Sequence, residues 1–171
     1  MAITGIIFDN QVPTAKGLRG AFASALTDGI LGGCNITYSG SNITIAEGLV
    51  NVAGGVFRIV GSEIVTISNS SKSYARVKAV IDLSNPATTS SFEQVSFEVD
   101  YANSATGFSA LVQNDINSGT GIKYEAEFCV VSLSSGTVTG VVRKATAAPK
   151  IQYGNSLPSD APEGTIFLLK V

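Results

Sequence analysis

Between residues 30 and 142 the chain alternates apolar and polar positions with period two, broken every few residues by Gly, Asn or Ser. This is the pattern of short antiparallel strands joined by tight turns. Strands over 36–38 and 43–45 flank Ser39-Gly40-Ser41-Asn42, a hairpin signal. Strands over 49–52 and 56–60 flank Ala53-Gly54-Gly55, a second one. A further strand over 63–67 follows Gly61, and 68–73 reads as a polar loop. Over 74–83, Ala75, Val77, Ala79, Ile81 and Leu83 share one face, and Arg76, Lys78 and Asp82 the other. Val95, Phe97, Val99 and Tyr101 alternate with Ser96, Glu98 and Asp100. A short strand is expected over 108–112 and a polar turn over 114–121. Ile122, Tyr124, Ala126, Phe128 and Val130 then form one face of a long strand, with Lys123, Glu125 and Glu127 on the other. Gly136 turns the chain into a last body strand over 138–142. Such strands have one face in a core and one in solvent. No helix pattern lies between them, so a parallel βαβ organisation is excluded.

The single helix signal comes earlier. Thr14 is a suitable N-cap, Leu18, Ala21, Phe22, Ala25 and Leu26 make one apolar stripe, and Gly29 is a natural stop. Gly17 and Gly20 each weaken the helix by about 1 kcal/mol relative to Ala, so packing must hold it. Ahead of it, residues 3–12 read as an apolar arm or edge strand ending at Pro13. Behind the body, residues 145–165 contain Pro149, Pro158 and Pro162 and read as a linker, followed by an apolar strand over 166–171 that needs a pairing partner. The chain thus divides into an arm and short helix (1–32), an antiparallel β domain (33–144), and a Pro-rich linker with a C-terminal strand (145–171). The fold class is mainly β, with an antiparallel sandwich-like body and one short N-terminal helix.

Composition narrows the function more than it defines it. Only 14% of the 171 residues are charged, against about 25% in an average domain, and mean hydropathy is +0.30. A surface so weakly charged suits a protein that covers much of itself with copies or neighbours. No apolar run approaches the roughly 18 residues of a membrane span, so no membrane insertion is expected. Net charge is −2, and the densest basic stretch, Lys72, Arg76 and Lys78, reads as a solvated strand face. No nucleic-acid partner is expected. Met1-Ala2-Ile3-Thr4-Gly5 lacks the basic and long apolar regions of a signal peptide, which predicts synthesis and assembly in a cytoplasm. The sequons at Asn35, Asn42 and Asn69 then carry no glycan, and Cys34 and Cys129 read as free, partly buried thiols.

Candidate chemistry is sparse. The chain has no His, which removes His-based acid–base catalysis, the common nucleophilic triads and His metal sites. Neither Cys sits in a CxxC pair, and there is no phosphate-binding Gly-rich loop. Glu125 and Glu127, i and i+2 on one strand, stand about 6.5 Å apart by strand rise, which loosely fits a glycosidase pair. The same alternation at Glu98 and Asp100 favours charged solvent faces instead. Asp115-Ile116-Asn117-Ser118-Gly119 has the oxygen spacing that opens a calcium loop but no placed downstream acid, so a polar turn is expected. Of Tyr38, Tyr74, Tyr101, Tyr124 and Tyr153, the last is the best placed to stack on a sugar. No catalytic residue, cofactor or metal is expected, and the chain does not read as an enzyme.

Two segments carry a resemblance. The first runs from Met1-Ala2-Ile3-Thr4-Gly5-Ile6-Ile7-Phe8 through Asp28-Gly29-Ile30-Leu31-Gly32-Gly33-Cys34 to Ile45-Ala46-Glu47-Gly48-Leu49 and Gly55-Val56-Phe57-Arg58. The second is Tyr153-Gly154-Asn155-Ser156-Leu157-Pro158 with Ala161-Pro162-Glu163-Gly164-Thr165-Ile166-Phe167. They resemble the N-terminal and C-terminal segments of tailed-bacteriophage tail-fibre, baseplate and receptor-binding proteins. The stretch 62–144 matches nothing beyond generic strands. The resemblance implies a virion protein, often a homotrimer, docked on a particle through its N-terminal part and supporting host attachment. Its partners would be other copies of itself and other tail, baseplate or head proteins. The chain lacks the long shaft and bulky tip of many fibres, which fits an anchor or adaptor. Docking or oligomer contacts are expected at Ile6, Ile7, Phe8, Leu18, Phe22, Ile166, Phe167 and Leu168. The alternative is a carbohydrate-binding β module that recognises a host surface glycan.

Overall fold

The computed structural model describes residues 14–88, 92–144, 146–147, 151–154 and 166–169. Helix α1 (Ala15–Ala25) starts where the cap predicts: Thr14 is extended and its hydroxyl accepts from the Gly17 N–H at 3.0 Å. It ends at Leu26, before Gly29. Strands β1 (Gly29–Gly33) and β2 (Ile36–Ser39) then lie end to end along one side of β3 (Asn42–Val52), and β4 (Gly55–Thr66) runs along its other side. The sequence divides β3 and β4 into two strands each. The structure keeps each as one long strand with a local irregularity, where Val60 and Gly61 together oppose Glu47. A β-bulge accommodates the extra residue without ending the ladder.

The second sheet has the order β6-β5-β7-β8. Its strands are β5 (Tyr74–Asp82), β6 (Val95–Ala102), β7 (Lys123–Ser134) and β8 (Thr137–Lys144), all antiparallel. The two sheets pack face to face. Ile43, Ile45, Val50, Val52, Ile59 and Val65 from the first meet Ala75, Val77, Ala79, Ile81, Phe128 and Val131 from the second. Phe97 joins the layers, edge-on to Phe128 at 5.1 Å and to Phe57 at 6.5 Å. One side of the sandwich is closed by Val138 N–H to the Gly40 carbonyl and by the Tyr38 hydroxyl to the Thr139 carbonyl. On the opposite side β4 and β6 each present an edge that pairs with no other strand among the described residues.

In β7 the predicted face breaks. Val77 pairs with Cys129 and Lys78 with Glu127, so Phe128 is an inserted residue. Phe128, Cys129 and Val131 all belong to the core, and Val130 falls opposite Arg76. No regular strand forms over 108–112. That segment belongs to the long 103–122 connection, whose Val112 and Gln113 lie beside the first half of β7, where β8 does not reach.

The C-terminal part adds two features. Thr146 bridges Ile30 in parallel and the Ala147 N–H donates to the Ile30 carbonyl, tying the chain after β8 to β1. Farther on, β9 (Ile151–Gly154) pairs in parallel with β10 (Ile166–Leu169). The terminal apolar strand thus has a partner inside the segment read as a linker.

Candidate functional site

The α1 stripe is the most unusual surface. No residue of the helix is buried, and Phe22 is 45% exposed. The helix rests on the turn between β3 and β4. Ala53 and Gly54 both have positive φ, +45° and +78°, the conformation of a tight hairpin turn. Gly54 lies so close under the helix that a Cβ there would stand 1.8 Å from the Arg19 carbonyl oxygen. The turn is gripped from the other side as well. Asp28 Oδ1 accepts from the Ala53 N–H at 2.6 Å, and Asn117 Nδ2 donates to the Ala53 carbonyl at 2.8 Å.

Beside the helix runs an apolar groove of about 430 Å³, walled by Leu18 and Phe22 on α1 and by Val56, Phe57, Phe92 and Val95. Arg19 is the single charged side chain among its described lining residues. A second depression of about 390 Å³ continues along the open side between β4 and β6 and shares Phe57, Phe92 and Val95 with the first. Phe92 is 60% exposed and Val60, farther along β4, 80% exposed. The second depression is mixed, because Arg58, Glu63 and Ser96 line it beside Ile59, Val60 and Phe97.

The structure thus brings Leu18 and Phe22 together in one groove. Ile6, Ile7 and Phe8 lie outside the described residues. Ile166, Phe167 and Leu168 lie on β10, paired with β9. Val56, Phe57, Phe92 and Val95 are not among the docking contacts expected from the sequence. The signal was present in Gly55-Val56-Phe57-Arg58-Ile59-Val60, where apolar residues fall on both faces of one strand.

The residues that suggested chemistry are occupied otherwise. Arg76 and Lys78 are buried, which corrects their reading as a solvated face. The 103–122 connection folds back over the outer face of the second sheet. Arg76 Nη2 contacts Asp100 Oδ2 at 2.6 Å and the Ser109 carbonyl at 2.8 Å, and its guanidinium lies 5.0 Å from the Phe108 ring centre. Lys78 Nζ reaches Glu125 at 3.0 Å, Asp100 at 3.3 Å and Glu98 at 3.5 Å. Glu125 is itself buried, not solvent-facing, and its second oxygen accepts from the Val112 N–H at 2.9 Å. Burial pushes the Glu125 carboxyl up, but the Val112 N–H and the Lys78 and Lys123 ammonium groups more than offset this and hold it below the usual range. Burial likewise pulls Lys78 down, and Glu125 and Asp100 outweigh it, leaving the ammonium above its ordinary value. A carboxylate so fixed and so acidic is suited to holding a fold, not to donating a proton.

Asp115 is committed as well. Its carboxylate accepts from the Ser118 hydroxyl and from the Ser118 and Asn117 N–H groups, which lower its pKa to about 2. The calcium-like stretch therefore closes on itself as a polar turn. It borders a mixed cleft of about 420 Å³, where Thr27, Asp28, Asn114, Asn117 and Tyr124 alternate with Ala23, Leu26 and Ile116. There the Tyr124 hydroxyl donates to Asp28 Oδ2 at 3.0 Å, and burial followed by the Asp28 charge pushes the phenol up to about 12. Cys34 and Cys129 are buried and form no disulfide, and burial, then Glu127, raises the Cys129 thiol to about 12. Neither has the electropositive, accessible setting of a reactive cysteine.

No protein-family model matches the chain, and comparison with curated proteins finds no match.

Proposed function

We propose that the chain is a structural, self-assembling component of a tailed-bacteriophage virion, a tail-fibre, baseplate or other appendage protein that supports host attachment. The observation that carries this reading is α1: an amphipathic helix with none of its residues buried, next to an apolar groove. Surfaces of this kind are covered in use. The low charge and the resemblance of the N-terminal and C-terminal segments supply the kind of assembly. On this reading the contacts to other copies, as a homotrimer, and to neighbouring virion proteins run through residues 3–12, Leu18 and Phe22, with Ile166, Phe167 and Leu168 closing a second edge. The chain has no catalytic part in it. Deleting residues 1–12 leaves a folded β body that fails to join its particle; a deletion variant found in purified particles at the full-length amount contradicts the reading.

The mixed cleft beside Asp115 favours one second reading, a carbohydrate-binding module for a host surface glycan. Asn114 places an amide group on it, a group that pairs with sugar hydroxyls. A bound saccharide must raise the unfolding temperature. A host-glycan panel that leaves the temperature unchanged removes this reading.

A further inference from the structure

Two elements lie on the sandwich with almost no core of their own. No residue of α1 is buried, and Ile116 is the one buried residue of the 103–122 connection. Segments with so little buried apolar surface open at a lower free energy than core strands. We propose that α1 and this connection open and close as one unit on a folded sandwich, with the Glu125 carboxylate as the latch that holds the unit shut.

The connection is fastened at two places. Over 108–113 it lies on the second sheet. Glu125 Oε2 accepts from the Val112 N–H at 2.9 Å, the Glu125 N–H donates to the Val112 carbonyl at 2.7 Å, and Arg76 donates to the Ser109 carbonyl at 2.8 Å. Over 116–119 it holds the helix and the turn beneath it. Lys16 donates to the Gly119 carbonyl at 3.1 Å, Arg19 to the Ile116 carbonyl at 3.3 Å, and Asn117 to the Ala53 carbonyl at 2.8 Å. Asn114 and Asp115 alone separate the two fastenings. Asp115 is locked in turn, accepting from the N–H groups of Asn117 at 3.0 Å and Ser118 at 2.9 Å. The span has little slack, so movement at one fastening passes to the other. Glu125 is the latch because its bond to the connection is charge-assisted, and such bonds are the stronger ones. Its carboxylate faces Lys78 on β5 at 3.0 Å and Lys123 on its own strand at 3.5 Å. Lys78 also faces Asp100 and Glu98 on β6 and stands opposite Glu127 in the ladder. Opening the unit brings the buried Arg76 and Lys78 to solvent, so a neighbour that draws α1 off the body uncovers a charged sheet face.

Coupling between two fastenings is reciprocal, so each end is perturbed and the other is read. Native-state hydrogen exchange of the full-length chain, followed amide by amide, supplies the readout. Glu125→Gln weakens the latch and is read at the α1 amides Leu18 to Leu26. Thr14→Ala removes the helix cap, touches no residue of the connection, and is read at the Val112 and Glu125 amides. Each variant is expected to speed exchange at the far end several-fold. The core amides of Ile45 and Val77 are expected to stay slower than either end in the parent and in both variants. A variant that speeds exchange only at its own end overturns the proposal. Helix amides that exchange as slowly as Ile45 and Val77 in the parent also overturn it, because the helix then opens only with the whole fold. Thr14 is exposed, so its variant keeps the test alive if Glu125→Gln does not fold. Exchange is read on the protein in solution and particle incorporation on virions, so this proposal and the assembly reading fail separately.

Discussion

Gly54→Ala tests how the helix is held to the body. The new methyl group faces two costs. An L-residue at φ +78° loses roughly 1–2 kcal/mol in the left-handed region. Its Cβ also meets the Arg19 carbonyl oxygen at 1.8 Å and the Ala23 nitrogen at 2.6 Å. Both are helix backbone and cannot rotate aside, so α1 must lift or the turn must shift, at about 1–3 kcal/mol as in other overpacked sites. Gly40→Ala is the matched control, because it has φ +59° with no atom within 4 Å of the added Cβ, and it pays only the backbone cost of roughly 1–2 kcal/mol. The two variants are therefore expected to differ by about 1–3 kcal/mol. With an m-value of roughly 2 kcal/mol/M, this is a gap of about 0.5–1.5 M in urea midpoint. Equal losses in the two variants refute the seating of α1 on the β3–β4 turn.

The buried charges and the buried thiols make three further predictions. Glu125→Gln leaves Lys78 with only Asp100 and Glu98, at 3.3 and 3.5 Å. The expected loss is roughly 2 kcal/mol in urea unfolding, below the usual cost of breaking a buried pair because two carboxylates remain; an unchanged midpoint contradicts the network. The carboxyls of Glu125 and Asp100 are held below their ordinary values of 4.5 and 3.8, so their contribution is complete above those values and disappears as pH falls through the folded ones. Lys78 is raised above 10.5, so its contribution is complete below that and disappears as pH rises through the folded value. The midpoint should be flat from about pH 6 to 9 and fall in acid, and Glu125→Gln should shrink the acid fall; an acid limb of the same size in the variant excludes Glu125 as a source. Finally, Cys34 and Cys129 should ignore a thiol reagent at pH 8 in the native protein and titrate together in denaturant. Fast modification without denaturant contradicts their burial.

The strands were legible because alternation and turn chemistry agree. The hairpin at Gly40-Ser41, the turn at Ala53-Gly54 and the cap at Thr14 all form as read. What escaped depends on long-range contacts. Arg76 and Lys78 alternate as solvent-facing residues do, and nothing local shows that a connection more than twenty residues later folds over them. The inserted Phe128 in β7 is equally silent, because Phe128, Cys129, Val130 and Val131 form an uninterrupted run in which period two has no phase. Residues 108–112 have strand composition but become a cover, with Val112 spending its N–H on the Glu125 carboxylate. The groove was half visible. Leu18 and Phe22 stand out on the helix, whereas Phe57, Phe92 and Val95 reach it only through the stacking of the two sheets.

Self-assembly is the central claim, and the mass of the full-length chain in solution addresses it most directly. Light scattering coupled to size exclusion, run over a wide range of concentrations, is predicted to give a stable trimer of the 17.6 kDa chain. A monomer mass that does not change with concentration contradicts that prediction and leaves the apolar groove beside α1 to a different partner.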